Sequence, residues 1–290
     1  MTNPIDDRVY DLYDTFCHSG MERREFLRRA GALGIAGGVG MALSLLPDYA
    51  KACQISFNDE RIHAEWVRFP SPGGNADDMR AYLARPKGDG PFPAVVVVHE
   101  NRGLNPYVQD VARRLAVEGF LALAPDALWA VGGYPGNDEE GKTLQRELDK
   151  DKILVDMVNS ARNVRGHALS NGKLGAVGFC FGGFVTNHLA VTLGQELQAG
   201  VPFYGRPPEL DAVPRIQAKL LVQMAEDDAG VNGSWPDYEA ALTKAKVTFA
   251  VHSYPGTRHG FHNDSTPRFD ADAAQLAWTR TVDHFRATLA

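Results

Sequence analysis

The chain has 290 residues, 44% of them hydrophobic, with 36 acidic against 30 basic side chains and a net charge of −6. That is apolar material for one full-sized core, and the length favours one large α/β domain over two small ones. The acidic balance excludes a basic nucleic-acid-binding surface, and three cysteines at 17, 53 and 180 form neither a disulfide framework nor a metal-ligand spacing.

Residues 1–52 read differently from the rest. Arg23-Arg24 and Phe26-Leu27 precede an uncharged run over 30–46, followed by Pro47 and Ala50-Lys51-Ala52. The run is 17 residues with five glycines, short and weakly apolar for a stable membrane span. Twin arginine, uncharged run and an A-x-A cleavage pattern, in that order, predict a leader read by the twin-arginine export machinery and a periplasmic or secreted product. The alternative is a retained leader in a cytoplasmic protein, an amphipathic helix followed by a buried glycine-rich one. Glu22 stands where the export signal prefers Ser or Thr, and Asp6, Asp7, Asp11 and Asp14 precede Met21, so the leader is either long or begins at Met21. Cleavage after Ala52 leaves residues 53–290 as a single domain of 238 residues with a net charge of −5. It also places Cys53 first, although the preceding Ala-Lys-Ala lacks the leucine-led pattern of lipid attachment.

Along residues 53–290 the elements alternate. Residues 63–69 and 79–85 are short alternating runs around a turn-rich cluster, predicting an antiparallel hairpin. The β-branched run 94–98 predicts a strand buried on both faces. Helical spacing over 106–118 stops at Gly119, and 120–124 is the next strand. One helical stretch over 144–165 follows, then a strand at 173–179, a helix at 182–193, and strands at 199–204 and 219–224. A helix at 236–245, a strand at 247–254 and a final helix at 271–289 complete the chain. Strands alternating with helices predict a mostly parallel sheet covered on both faces, whose functional residues gather at the carboxyl ends of the strands.

Those ends carry chemistry. The strand ending at Val98 delivers His99, Glu100, Asn101 and Arg102; the one ending at Phe179 delivers Cys180. The strand ending at Met224 runs into Glu226, Asp227 and Asp228, and the last into His259 and His262. Cysteine, acid and histidine in that chain order match the nucleophile–acid–base order of the α/β-hydrolases, with Gly178-Phe179-Cys180-Phe181-Gly182 in place of the usual Gly-x-Ser-x-Gly elbow. A thiol there sits on a helix N-terminus, where backbone N–H groups and the dipole favour its anion. An imidazole oriented by a carboxylate completes the activation, and the N–H of Phe181 is aimed at a developing oxyanion. Such a site suits activated esters and lactones better than amides.

GFCFGG preceded by NGKLGAV, HEN after the valine strand, an aspartate after the next-but-one strand and HGF near the C-terminus resemble dienelactone hydrolase, over about residues 60–288. The resemblance implies the α/β-hydrolase fold, a Cys180–His259–Asp228 triad, a Glu100 that contacts the thiol and helps form the thiolate, and the Asn101 N–H as second oxyanion donor. It implies no cofactor and a small-molecule ester or lactone as substrate. The family grips its substrate carboxylate with arginines; one such place is Asn263 here, and the other has only Lys142 as a loose counterpart. Arg102, Arg206 and Arg258 remain as cations for a carboxylate, and neutral esters or lactones are expected to react at least as well as anionic ones. A metal hydrolase is disfavoured because His99-Glu100 lacks its second histidine, Gly103 standing there. A binding or scaffold protein on the same fold is the alternative from another class.

Overall fold

The computed structural model describes residues 6–18, 21, 23–35, 37–44 and 53–290. Residues 50–52, where leader cleavage is expected, lie outside them. The turn-rich cluster after residue 70 closes the hairpin of β1 (Ile62–Pro70) and β2 (Asp78–Pro86). The strands β3 (Phe92–Val98), β4 (Leu121–Pro125), β5 (Ser170–Phe179), β6 (Ala199–Phe203), β7 (Lys219–Asp227) and β8 (Phe249–Arg258) complete one sheet in the order β1-β2-β4-β3-β5-β6-β7-β8. The pairings β1–β2 and β2–β4 are antiparallel and the rest are parallel, so the carboxyl ends of β3 to β8 share one edge.

The valine strand shows why the sheet is covered twice. Ala94, Val96 and Val98 pack into one core layer and Val95 and Val97 into the other, as the alternation of side chains along a strand requires. Each buried valine contributes roughly 1.5–3 kcal/mol through its removal from water, so a strand made of them is stable only between two layers.

Three helices precede the sheet: α1 (Asp7–His18), α2 (Arg23–Ala32) and α3 (Gly38–Ser44). They close around a small core of their own formed by Val9, Tyr13, Phe16, Phe26, Ala30 and Ala42, with the Phe16 and Phe26 rings stacked at 4.7 Å. The sheet is flanked by α4 (Pro106–Val117), α5 (Asp138–Glu147), α6 (Lys150–Arg165), α7 (Phe181–Leu193), the short α8 (Ala229–Asn232), α9 (Trp235–Lys244) and α10 (Ala271–Leu289). Helices α4 and α10 cover one face; α6, α7 and α9 cover the other. Among the described residues no helix is long and apolar enough to cross a membrane.

The single helical stretch expected over 144–165 is two helices. Leu148 takes an extended conformation, and Asp149 caps α6 by accepting from the N–H groups of Asp151 and Lys152 at 2.9 and 3.2 Å. An aspartate that satisfies two first-turn amides stabilises a new helix start more than a continuation, where its side chain would compete with the backbone.

Candidate active site

Strand β5 runs into α7 through Cys180, whose φ of 56° and ψ of −112° are open to few L-residues. Holding a non-glycine residue there costs about 1–3 kcal/mol and is sustained only by close surroundings. Those surroundings are backbone. A Cβ on Gly178 would lie 2.1 Å from the Gly182 carbonyl oxygen, and one on Gly182 would lie 2.2 Å from that of Val98. The glycines of the elbow thus let α7 start against β3 with no side chain between, and the Cys180 N–H is tied to the Phe203 carbonyl at 3.1 Å. Phe181 is the first residue of α7, so its N–H belongs to the turn that has no carbonyl partner within the helix.

Strand β7 ends at Asp227, and the next residue, Asp228, faces back over the sheet. Its Oδ1 accepts from the Val231 N–H at 3.3 Å, capping α8, while its Oδ2 accepts from His259 Nδ1 at 2.6 Å. The neighbouring acids do other things: Asp227 is 66% exposed with the Arg258 guanidinium 3.5 Å away, and Glu226 accepts from the Gly256 N–H at 2.8 Å. His259 follows β8 directly and is buried beneath the Tyr204 ring, 4.9 Å between centroids. Burial works against its charged form. The negative charge of Cys180 and the hydrogen bond with Asp228 override that and raise its pKa to about 9. Cys180, His259 and Asp228 are therefore one connected group, with the imidazole between acid and thiol.

Glu100 stands beside them, 4% exposed, its pKa raised by burial, lowered by Arg102 and raised again by the charge of Cys180. Asn263 is buried and donates through Nδ2 to Glu100 Oε2 at 2.9 Å, while its Oδ1 accepts from Ser265. Sequence alone gave no sign of this link, which joins residues 163 positions apart. Of the other substrate candidates, Arg102 is buried in an ion pair with Asp138 at 2.6 Å, Arg206 is exposed beyond β6, and Arg258 lies by Asp227. His262 is held elsewhere: it hydrogen-bonds to the Tyr107 hydroxyl at 2.7 Å, and burial depresses its pKa to about 3.

The sequence reading passed over one cation. Arg268 is buried so close to the loop of His259 that a Cβ on Gly260 would be 3.0 Å from its guanidinium, and its charge acts on both Glu100 and Tyr204. It sits in a polar loop nine residues beyond His259, with no motif to single it out.

A mixed, mostly parallel eight-stranded sheet with a tight strand-to-helix elbow after β5, an acid after β7 and a histidine after β8 makes this an α/β-hydrolase. The "Dienelactone hydrolase family" model matches residues 79–289, and the chain belongs to that family. A second model, "YqhI-like", matches residues 1–35. The chain is 58% identical over 106 residues to YghX of Escherichia coli (strain K12), provisionally named a hydrolase fragment, covering 36% of this chain and 90% of that one. It is 30% identical to a protein of Saccharolobus solfataricus provisionally named a carboxymethylenebutenolidase, over 72% of this chain and 93% of the relative. Among solved structures, the dienelactone hydrolase-like promiscuous phosphotriesterase P91 from metagenomic libraries superposes with a TM-score of 0.68 at 26% identity, covering 79% of this chain and all of that one.

Proposed function

We propose that the protein hydrolyses small-molecule esters or lactones through a Cys180–His259–Asp228 triad and a thioester intermediate. The observation that carries this is the imidazole of His259, hydrogen-bonded through Nδ1 to Asp228 at 2.6 Å and close enough to the thiol on the elbow for the charge of Cys180 to raise its pKa. The Cys180 thiolate attacks the carbonyl carbon, and the oxyanion is held by the N–H groups of Phe181 and Asn101. The carbon–oxygen bond breaks, the imidazolium gives its proton to the departing alkoxide, and the acyl group remains on sulfur. A water then loses a proton to the now neutral His259 and adds to the thioester. The thiolate leaves, giving the carboxylic acid product and restoring the imidazolium. Glu100, close enough to feel the charge of Cys180, helps form the thiolate by taking the thiol's proton as substrate binds, and returns it to the sulfur when product leaves. The name of the Saccharolobus solfataricus relative supports a lactone as substrate.

The test is a panel of lactones and alkyl and aryl esters against the wild type and Cys180→Ala. Iodoacetamide is expected to label Cys180 stoichiometrically and abolish turnover, with Cys180→Ala inactive. Full activity in Cys180→Ala would overturn the reading.

Export of the protein by its first 52 residues belongs to the same proposal, supported by Arg23-Arg24, the uncharged run and Ala50-Lys51-Ala52. In a host with a twin-arginine pathway the periplasmic product is expected to begin at Cys53, and Arg23→Lys with Arg24→Lys to block it. An unprocessed, active cytoplasmic protein in both cases counts against export.

A further inference from the structure

We infer that His99 is a positioning residue that aims the second oxyanion donor. It is fully buried at the end of β3, does not touch the triad, and takes no part in the chemistry described above. Its Nδ1 lies 2.5 Å from the carbonyl oxygen of Glu100, so Nδ1 must carry a proton and donate. Its Nε2 accepts from the Ala127 N–H at 3.3 Å, just beyond the end of β4. Two backbone groups thus fix both the tautomer and the ring, and burial favours the neutral form that this pattern requires.

The carbonyl His99 holds belongs to the peptide between Glu100 and Asn101. That peptide is planar and trans, so its carbonyl and its N–H point in opposite directions. Anchoring the oxygen to a buried ring sets the direction of the Asn101 N–H. Without the anchor the peptide can rotate about its flanking bonds, and the hole loses one of its two donors. The same ring lies 6.4 Å from that of Phe181, and a Cβ on Gly182 would come within 2.8 Å of the His99 carbonyl oxygen. His99 therefore fixes the end of β3 where its backbone meets the first turn of α7, which carries the other donor. This inference rests on the proposed role of the Asn101 N–H.

The test compares full-length His99→Leu, which keeps bulk without ring nitrogens, with His99→Asn, whose side-chain N–H replaces Nδ1–H. Both leave the Ala127 N–H without its acceptor, so that loss cancels between them. Removing one oxyanion donor costs about 10²–10³ in kcat. His99→Leu is expected to lose roughly tenfold to a hundredfold or more in kcat with KM nearly unchanged, and His99→Asn to recover most of it. Alkylation of Cys180 by iodoacetamide needs the thiolate but forms no oxyanion, so its rate is expected to stay at the wild-type value in both variants. Equal loss of alkylation and turnover, unchanged turnover in His99→Leu, or no recovery in His99→Asn would overturn the assignment. Should His99→Leu fail to fold, His99→Asn against the wild type decides: turnover within about fivefold supports the role, and a loss on the scale of a missing donor overturns it. Activity that survives in Cys180→Ala would instead remove the proposed reaction itself, which separates the two failures.

Discussion

An imidazolium held at about 9 keeps its proton through neutrality and gives it up as pH rises through that value. In the proposed cycle that proton goes to the departing alkoxide. Hydrolysis of an alkyl ester or lactone is therefore expected to fall as pH passes about 9, whereas p-nitrophenyl acetate, whose leaving group needs no proton, keeps its rate. Asp228→Asn removes a hydrogen bond and a charge that both raise the His259 pKa, so the alkaline limb moves to lower pH. The wrong tautomer is also favoured, and kcat drops by about 10⁴. Asp227→Asn, at an exposed carboxylate, should change neither. The stability effect has the same sign. A folded-state pKa raised above the unfolded value of about 6.5 stabilises the fold fully below that value, and the contribution is lost between there and about pH 9. A pH profile on two substrates decides this; equal alkaline limbs for both would remove the proton-donor role. At this scale the sequence was legible only in part. Cys180 and His259 stand out because each follows a strand end, whereas that position left Glu226, Asp227 and Asp228 open and only the family resemblance chose Asp228. Asn263, Arg268 and His99 act through long-range contacts or one backbone peptide, which no local pattern encodes.

The meeting of β5, α7 and β3 is where sequence turns into site geometry. A Cβ at position 182 would be 2.2 Å from a backbone oxygen of β3, and a backbone atom cannot swing aside as a side-chain tip can. Gly182→Ala must push α7 off the sheet, so a loss at or above the 1–3 kcal/mol typical of overpacking is expected, with Cys180 displaced. Gly230 is the control. It lies in α8, and a Cβ there meets only Asp228 Oδ1 at 3.8 Å; its change to Ala should be neutral or stabilising by up to about 1 kcal/mol. Denaturant midpoints measure both, and equal midpoints for the two variants would refute the contact. The Gly-x-Cys-x-Gly spacing made this junction readable, as the alternation in 63–69 and 79–85 made the hairpin readable. The break between α5 and α6 escaped because apolar periodicity runs on through Leu148. Only the capping capacity of Asp149 marked the new start, and aspartate is favoured in turns as well as at helix starts.

At the scale of the whole molecule, helix α1 meets two cations, Arg268 and Lys142. Helix α1 sets the Tyr13 ring against Arg268, 4.9 Å from guanidinium to centroid, and Phe16 against Lys142, whose ammonium lies 4.8 Å from the ring and donates to the Phe16 carbonyl. Both cations are at most 8% exposed. With Arg102, Arg268 is a cation whose charge reaches Glu100, and Lys142 projects from the helix whose Asp138 pairs with Arg102, two residues beyond Glu100. In the full chain these charges face aromatic rings, and a substrate carboxylate would have to displace them. Removing residues 1–52, as export would, takes these rings away from the two cations. A charge-assisted hydrogen bond to a carboxylate contributes about 1.5–3 kcal/mol, or roughly 10- to 150-fold at 1.4 kcal/mol per tenfold. The chain beginning at Cys53 is thus expected to gain up to that factor in kcat/KM on an anionic lactone over the full chain, with little change on a neutral ester. Tyr13→Ala with Phe16→Ala in the full chain should reproduce part of the gain, and Arg268→Gln in the shortened chain should abolish most of it. Equal selectivity in full and shortened chains would show that α1 does not cover these cations in solution. Neutral lactones would then be the preferred substrates of both forms.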